Sequence, residues 1–320
     1  MPSLFVGIDV SKDHLDVHHL PADTAFRVKN TPAGHGKLVE ALGRLDTAPD
    51  GIRVVVESTG GLELPVALAI EEAKMQIAII KPERARHFAK AHGQLAKTDS
   101  IDARMLARFA RDIPLTIVPL PSEELRHFRD LLDRRHQLLE METMEKNRLK
   151  STALKRAKDS VQRHIDWIKK ELADVGKELD ERIAGNPQWA ELDRLLQTIP
   201  GFGPQVSRVL IGHLPELGRV NHKVIANLVG VAPIANDSGN SEGPRHIAGG
   251  RWQVRNVLYM CGVVATIHNP VGKAMYQRLV ARGKAGKSAV IAVARKMLTI
   301  ANAMVAKKTP WRHLIVAENS

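Results

Sequence analysis

The chain has 320 residues, 44% hydrophobic and 26% charged, with one cysteine and a formal net charge of +12. That length is enough for two or three separate cores, and the lone Cys261 excludes a disulfide framework and any cysteine-based zinc site. A strand that starts at Leu4 argues against a leader peptide, and Arg295-Lys296 cuts the apolar stretch near the C-terminus short of the roughly 18 residues a membrane span needs, so a cytoplasmic protein with no membrane partner is expected.

Taken in order, residues 3–29 read as three short strands, Ser3–Val10, Leu15–Leu20 and Phe26–Val28. Their connections are tight enough to predict an antiparallel meander. Thr31-Pro32 has the N-cap/N1 arrangement that starts a helix, here to about Leu45. Gly51–Glu57 is a β-branched run typical of a strand buried on both faces. A helix over Leu62–Ala73, a strand over Gln76–Ile80 and helices over Glu83–Ala91 and Ile101–Asp112 complete the unit.

From Pro121 to about Ile183 the chain is helical and heavily charged. Val161, Ile165, Ile168, Leu172, Val175, Leu179 and Ile183 recur at three-to-four spacing, as do Leu125, Phe128, Leu132 and Leu139. This narrow seam fits an internal helical hairpin or an intermolecular coiled coil, and its narrowness favours dimerisation. Beyond it, Pro200-Gly201-Phe202-Gly203-Pro204 joins two short helices in the manner of a helix-hairpin-helix. Gly201 and Gly203 there would offer backbone N–H groups to a phosphate, or simply serve an αα-turn. Residues 233–251 form a polar, Gly-rich loop, and loops of that length inside a compact domain are usually functional or disordered. Gly286-Lys287-Ser288 imitates the end of an NTPase phosphate loop, but Ala281 stands where that pattern needs glycine.

Charge is unevenly spread. Residues 1–120 hold fifteen Lys/Arg and fifteen Asp/Glu, and residues 121–184 hold fifteen against fourteen. Residues 185–320 hold seventeen against six, a net +11, which points to a polyanion-binding C-terminal domain.

Four carboxylates stand out against this layout. Asp9 and Glu57 end apolar strands, while Asp99 and Asp102 lie at i and i+3 at a helix start, roughly 5–6 Å apart at Cβ. The last two also fit an N-cap and its capping-box partner, and the first two fit turn positions. Together they form a set of hard oxygen donors suited to Mg²⁺ or Mn²⁺. Three antiparallel strands, then β/α alternation, with acids on the first strand, the fourth and the last helix, is a ribonuclease H-like layout.

At Gly7-Ile8-Asp9-Val10-Ser11-Lys12, Glu57-Ser58-Thr59-Gly60-Gly61 and Lys97-Thr98-Asp99-Ser100-Ile101-Asp102-Ala103 the chain closely resembles the RuvC-like DEDD domain of the insertion-sequence one-ten transposases, the bridge-RNA-guided recombinases. The resemblance covers almost the full length. It implies a RuvC-like α/β catalytic domain over 1–115, a helical coiled-coil region over 121–184 and a basic, all-α transposase domain over 190–320. It places Ser238-Gly239 at the family's serine motif. By the residues alone Ser238 would be a turn serine and Ser241 an equal candidate. Matching pieces follow at Gly250-Arg251 to Arg255, Asn269-Pro270 and Gly286-Lys287 to Arg295-Lys296.

The resemblance further implies a Mg²⁺-dependent recombinase in which Asp9, Glu57, Asp99 and Asp102 bind metal and Ser238 attacks the phosphodiester, in a composite site. Arg245, Arg251, Arg255 and Lys287 are expected nucleic-acid contacts, the three arginines either neutralising a phosphorane or clamping backbone. The implied partners are donor and target double-stranded DNA, a noncoding guide RNA and further copies of the chain, a dimer pairing into a tetramer at the nucleoid. Three other readings compete: a RuvC-like structure-selective endonuclease with Ser238 idle, an actin-like sugar kinase suggested by Gly7–Ser11, and a non-catalytic DNA scaffold. Helical residues 121–320 and the basic C-terminal domain disfavour the kinase.

Overall fold

The computed structural model describes residues 2–45, 47–94, 99–115, 117–235, 237, 238, 241–243 and 245–311, with backbone alone at 99–101, 237, 238, 241 and 242. The chain divides into two compact units, Met1–Pro121 and Ser122–Ser320.

In the first unit β1 (Leu4–Val10), β2 (His14–Leu20) and β3 (Thr24–Lys29) form an antiparallel meander. Helix α1 (Pro32–Gly43) starts where the Thr31 hydroxyl accepts the Gly34 N–H at 3.2 Å, one of the four donors a helix start leaves unpaired. The chain then returns as β4 (Ile52–Glu57), parallel to β1, and continues through α2 (Leu64–Glu72), β5 (Gln76–Ile80), α3 (Pro82–Ala91) and α4 (Asp99–Asp112). The sheet order is β3-β2-β1-β4-β5. A mixed sheet of this order, followed by helices, is consistent with the ribonuclease H-like fold.

Alternation divides the sheet. Leu4, Val6, Ile8 and Val10 of β1, with Ile52, Val54 and Val56 of β4, pack on Leu38 and Leu42 of α1 and Val66, Ala67 and Ile70 of α2. The other face carries Phe5, Gly7 and Asp9 of β1 and Arg53, Val55 and Glu57 of β4, because side chains two apart share a face. Val55 there packs with Phe88 of α3 and Met105, Leu106 and Phe109 of α4. Helix α4 lies so close to β1 that a Cβ on Gly7 would fall 2.1 Å from the Ala103 carbonyl oxygen and 2.3 Å from the Ala107 nitrogen.

The second unit begins with α5 (Glu123–Ser151) and α6 (Lys155–Gly185), joined by three residues. They are antiparallel, since Glu124 meets Asn186 at one end and Glu145 meets His164 towards the other. The apolar seam read from sequence therefore closes inside the chain: Phe128, Leu132, Leu179 and Ile183 join the core of this unit. Leu138 is fully buried, whereas its neighbour Leu139 is only partly so. Helices α7 (Pro187–Gln197), α8 (Pro204–His213) and α9 (His222–Val229) follow. The loop expected over 233–251 contains a hairpin of two-residue strands, β6 (Asp237–Ser238) and β7 (Ser241–Glu242), so this part is not purely helical. Then come α10 (Trp252–His268), α11 (Pro270–Ala281) and α12 (Gly286–Lys307).

Contrary to the sequence expectation, α12 is long and apolar enough, by length and composition, to cross a membrane. Its role in the fold is a core helix: Val293, Ala294, Met297, Leu298 and Ala301 are fully buried.

Replacing Gly7 with Ala is expected to force α4 away from β1 and to cost about 3 kcal/mol, the upper range for overpacking. Urea denaturation of the full chain checks this; a loss below about 0.5 kcal/mol would show that the helix is not seated against Gly7.

Candidate functional site

Position in the sheet brings the acids together. The parallel register pairs Ile8 with Val56, so Asp9 and Glu57 follow side by side at the carboxyl ends of β1 and β4, on the face that α4 covers. The carboxyl edge of parallel strands is where α/β folds place their ligands. Helix α4 runs against the strand direction: Ala103 and Ala107 flank Gly7, and the Ala110 carbonyl lies 3.5 Å from Nη1 of Arg53, nearer the start of β4. The beginning of α4 therefore lies at the strand ends. Asp9, Glu57 and Asp102 line one cavity of about 430 Å³, together with Thr59, Arg86, Lys90 and Gln94. Asp99 belongs to the same helix turn, but its side chain lies outside the described residues, as do Lys97 and Thr98.

All the acids offer hard oxygen donors, which suits Mg²⁺ or Mn²⁺ rather than a softer metal. Among the described residues no three acidic, histidine or cysteine side chains are already drawn into a metal cage. The chemistry of Asp9, Glu57 and Asp102 as donors suits such an ion.

Four residues of this region escaped the sequence reading. Asp16 is the cross-strand partner of Asp9, and its charge is met by Arg27 through Nε at 2.8 Å and Nη2 at 3.0 Å. Arg86 and Lys90, one helical turn apart on α3, put positive charge in the cavity with the acids. Glu63 holds the loop after Glu57: its Oε2 accepts from Thr59 N–H at 3.0 Å, Thr59 Oγ1 at 3.1 Å and Gly61 N–H at 2.9 Å, and its Oε1 from Ser58 Oγ at 3.3 Å. Burial alone would push the Glu63 carboxyl up, but backbone N–H donors, including its own, and Thr59 outweigh it and hold the group below the ordinary range.

In the second unit Ser238 stands opposite Ser241 in the β6–β7 register. The side chains of both, with Gly239, lie outside the described residues. An Ile234–His246 bridge continues the hairpin. The base of this loop is closed by backbone: Gly230 has φ +75° and Gly250 φ +74°, and a Cβ on Gly250 would lie 2.3 Å from the Gly230 nitrogen. Only glycine fits that approach.

Arg251 and Arg255 serve this base. Arg251 donates to Glu216 through both Nη atoms at 2.5 and 2.6 Å and to the His213 carbonyl at 2.9 Å, and Arg255 donates to the Gly249 carbonyl. The charge of Arg251, expected to face nucleic acid, is thus met inside the protein. Arg245 and Lys287 are exposed. At the helix-hairpin-helix-like turn, Gly201 has φ +100°, and a Cβ on it would lie 3.7 Å from the Ala265 nitrogen of α10, while Gly203 is the N-cap of α8. The turn is anchored by the fully buried Asn269, which donates to the Pro200 carbonyl at 3.1 Å and accepts from the first N–H groups of α11.

Comparison with known proteins finds family matches at both ends of the chain. Residues 6–157 match the transposase family model DEDD_Tnp_IS110, and residues 193–277 match the model described as "Transposase IS116/IS110/IS902 family". The pilin gene-inverting proteins of Moraxella lacunata and Moraxella bovis are each 26% identical over 323 residues, covering 97% of this chain and 98% of theirs. The insertion element IS110 uncharacterized 43.6 kDa protein of Streptomyces coelicolor is 23% identical over 391 residues, 94% of each chain. A mixed sheet with acids at its carboxyl edge, carried by a chain with these matches, is that of a DNA transposase or recombinase of the DEDD type, a class that uses divalent metal. The chain belongs to the IS110 family of transposases.

Two outcomes test the local physics. Glu63→Ala leaves four donors without their acceptor, so a stability loss of about 2–3 kcal/mol is expected, with the Thr59 and Gly61 amides losing protection in hydrogen exchange. His213, buried beside Arg129 and Arg251, is pushed down to about 4 by burial first and those charges second. Between that value and the ordinary 6.5 the unfolded chain takes up the proton and the folded chain does not, so this contribution to stability is present above pH 6.5 and falls with pH. Unfolding titrations should show the chain losing about 2 kcal/mol more than His213→Gln between pH 7 and pH 5.

Proposed function

We propose that this transposase cuts donor and target double-stranded DNA and rejoins the strands, with Asp9, Glu57, Asp99 and Asp102 as the metal-binding set and Ser238 as the nucleophile. The observation that carries the reading is the convergence of Asp9, Glu57 and Asp102 on one cavity that also presents Arg86 and Lys90. A bound divalent ion, Mg²⁺ or Mn²⁺, supplies Lewis acidity toward a phosphoryl oxygen. The four carboxylates would hold it, and Asp16, already neutralised by Arg27, leaves the negative charge beside Asp9 lower than the sequence suggests. Arg86 and Lys90 steady non-bridging oxygens, which orients the phosphodiester for displacement.

With water as the attacking group such a site would only nick DNA. With Ser238 the Oγ–P bond forms as the bond from phosphorus to the leaving sugar oxygen breaks, and the serine proton ends on that oxygen. The phosphoserine keeps the bond energy, and a sugar hydroxyl of a second strand reverses the step to rejoin. Relatives named for inverting pilin genes support rejoining over simple cleavage, because inversion restores continuous strands. Site choice falls to a structured noncoding RNA, as the family resemblance implies, with 4% aromatic residues offering few base-stacking platforms in the protein itself. The active assembly is a dimer that pairs into a tetramer on two DNAs.

Purified chain with its co-purifying RNA, Mg²⁺ and donor and target DNA provides the test. Ser238→Ala should abolish strand exchange and the protein–DNA adduct seen on denaturing gels, while retaining DNA binding. Asp9→Asn should abolish exchange as well, by at least about a hundredfold. Exchange surviving Ser238→Ala, with Asp9→Asn inactive, would leave a metal-dependent endonuclease and an idle serine.

A further inference from the structure

A second hollow lies wholly within the basic unit. It measures about 490 Å³, within the range of sites that enclose a small ligand. Its cationic lining comprises Arg245, Lys284, Arg295 and Lys296, and among the described residues no carboxylate lines it. Among the described residues Lys284, Arg295 and Lys296 form no ion pair, and like charges so placed favour an anion between them. The setting reinforces this: from Gly243 to Trp311 the chain carries twelve Lys/Arg and not one Asp or Glu.

Charge alone would suit any polyanion. The rest of the lining narrows the choice. Ile247, Met275 and Ile291 share the hollow with the cations, backed by Val231 and Pro233. A duplex backbone tracks along an open surface, and its bases are stacked and unavailable to apolar side chains. An unpaired nucleotide has both properties at once, an ionised phosphate and a flat, weakly polar base, and a single one matches a space of this size. On α12 Ser288, Ile291, Arg295 and Thr299 recur at three-to-four spacing, so one helix face supplies hydroxyl, apolar and cationic groups in register. His246 and Arg245 bring the strand after the serine hairpin to the same hollow.

We infer that this hollow is a binding site for one unpaired nucleotide of a nucleic-acid strand, its phosphate held by Lys284, Arg295 and Lys296 and its base against Ile247, Met275 and Ile291. The inference deepens the reading of the chain as a strand-processing enzyme and rests on it for the choice of nucleic acid over other phosphates. DNA and RNA strands offer the same chemistry, and the test separates them.

The experiment uses the full chain without divalent metal, so that no strand is cut, and reads fluorescence anisotropy with three probes: oligothymidylate, oligouridylate and a blunt DNA duplex. Ala292→Phe fills the hollow without changing charge. It should weaken binding of at least one single-stranded probe about tenfold and leave the duplex within about twofold. The probe that responds identifies DNA or RNA as the source. The double replacement Arg295→Gln, Lys296→Gln should lower the salt-dependence slope of single-strand binding by about 1.4. A third measurement needs no variant: a 4-thio-substituted oligonucleotide, irradiated on the wild-type chain, should label the peptides holding Ile247, Met275 or Ile291. Label confined to other peptides, or single-strand and duplex binding that fall together or not at all, would overturn the inference. Strand exchange is read in none of these arms. A failed pocket therefore leaves the recombinase reading standing, and a chain inactive in recombination can still bind the probes.

Discussion

The close seating of α4 on β1 is the contact on which the first unit depends. Gly7 permits it, since any side chain there would occupy the space of the helix backbone. Two further contacts fix the helix along its length. Arg104 is held by Asp23 at the β2–β3 turn, and the Ala110 carbonyl is approached by Arg53 of β4. With both in place, the start of α4 is carried to the strand ends, and Asp102 shares a cavity with Asp9 and Glu57. The acids do not find one another through direct attraction, since like charges repel. The packing of an apolar helix face on a sheet brings them together, and a cation relieves the repulsion that results.

Much of this was legible in the residues. Alternating side chains in Leu4–Val10 and the β-branched run to Glu57 place both acids at strand ends, and strands two apart in a meander can be read from turn chemistry. Gln76–Ile80 appears as a strand with the expected bounds. Other features have no local signature. Glu63 looks like any surface glutamate, and its buried role depends on a loop that folds back over four residues. The pairing of Arg251 with Glu216 spans thirty-five positions, so a basic residue in a Gly-rich loop reads as a nucleic-acid contact until its partner is seen. The seam of α5 and α6 carried the correct period. Period alone does not say whether the facing helix belongs to the same chain, and the three-residue connection decides it. The paired strands at Asp237–Ser238 and Ser241–Glu242 are too short for any alternation to show.

The two units divide the physical work differently. The first carries balanced charge and brings three of its acids, Asp9, Glu57 and Asp102, to one edge of a sheet. The second carries the whole cationic excess of +12 around a helical core. Among the described residues of the first unit the cations that line the acid cavity are Arg86 and Lys90, placed to hold a phosphate.

Asn269 has a consequence of a chemical kind. Buried at the corner of α10 and α11, it links the Pro200 carbonyl to the start of α11 through a single amide group. Asparagine ages by ring closure onto the nitrogen of the following peptide, which turns the amide into an acid. Here the next residue is Pro270, whose nitrogen bears no hydrogen. That route to a succinimide is shut, so the amide that ties the joint is spared deamidation by it.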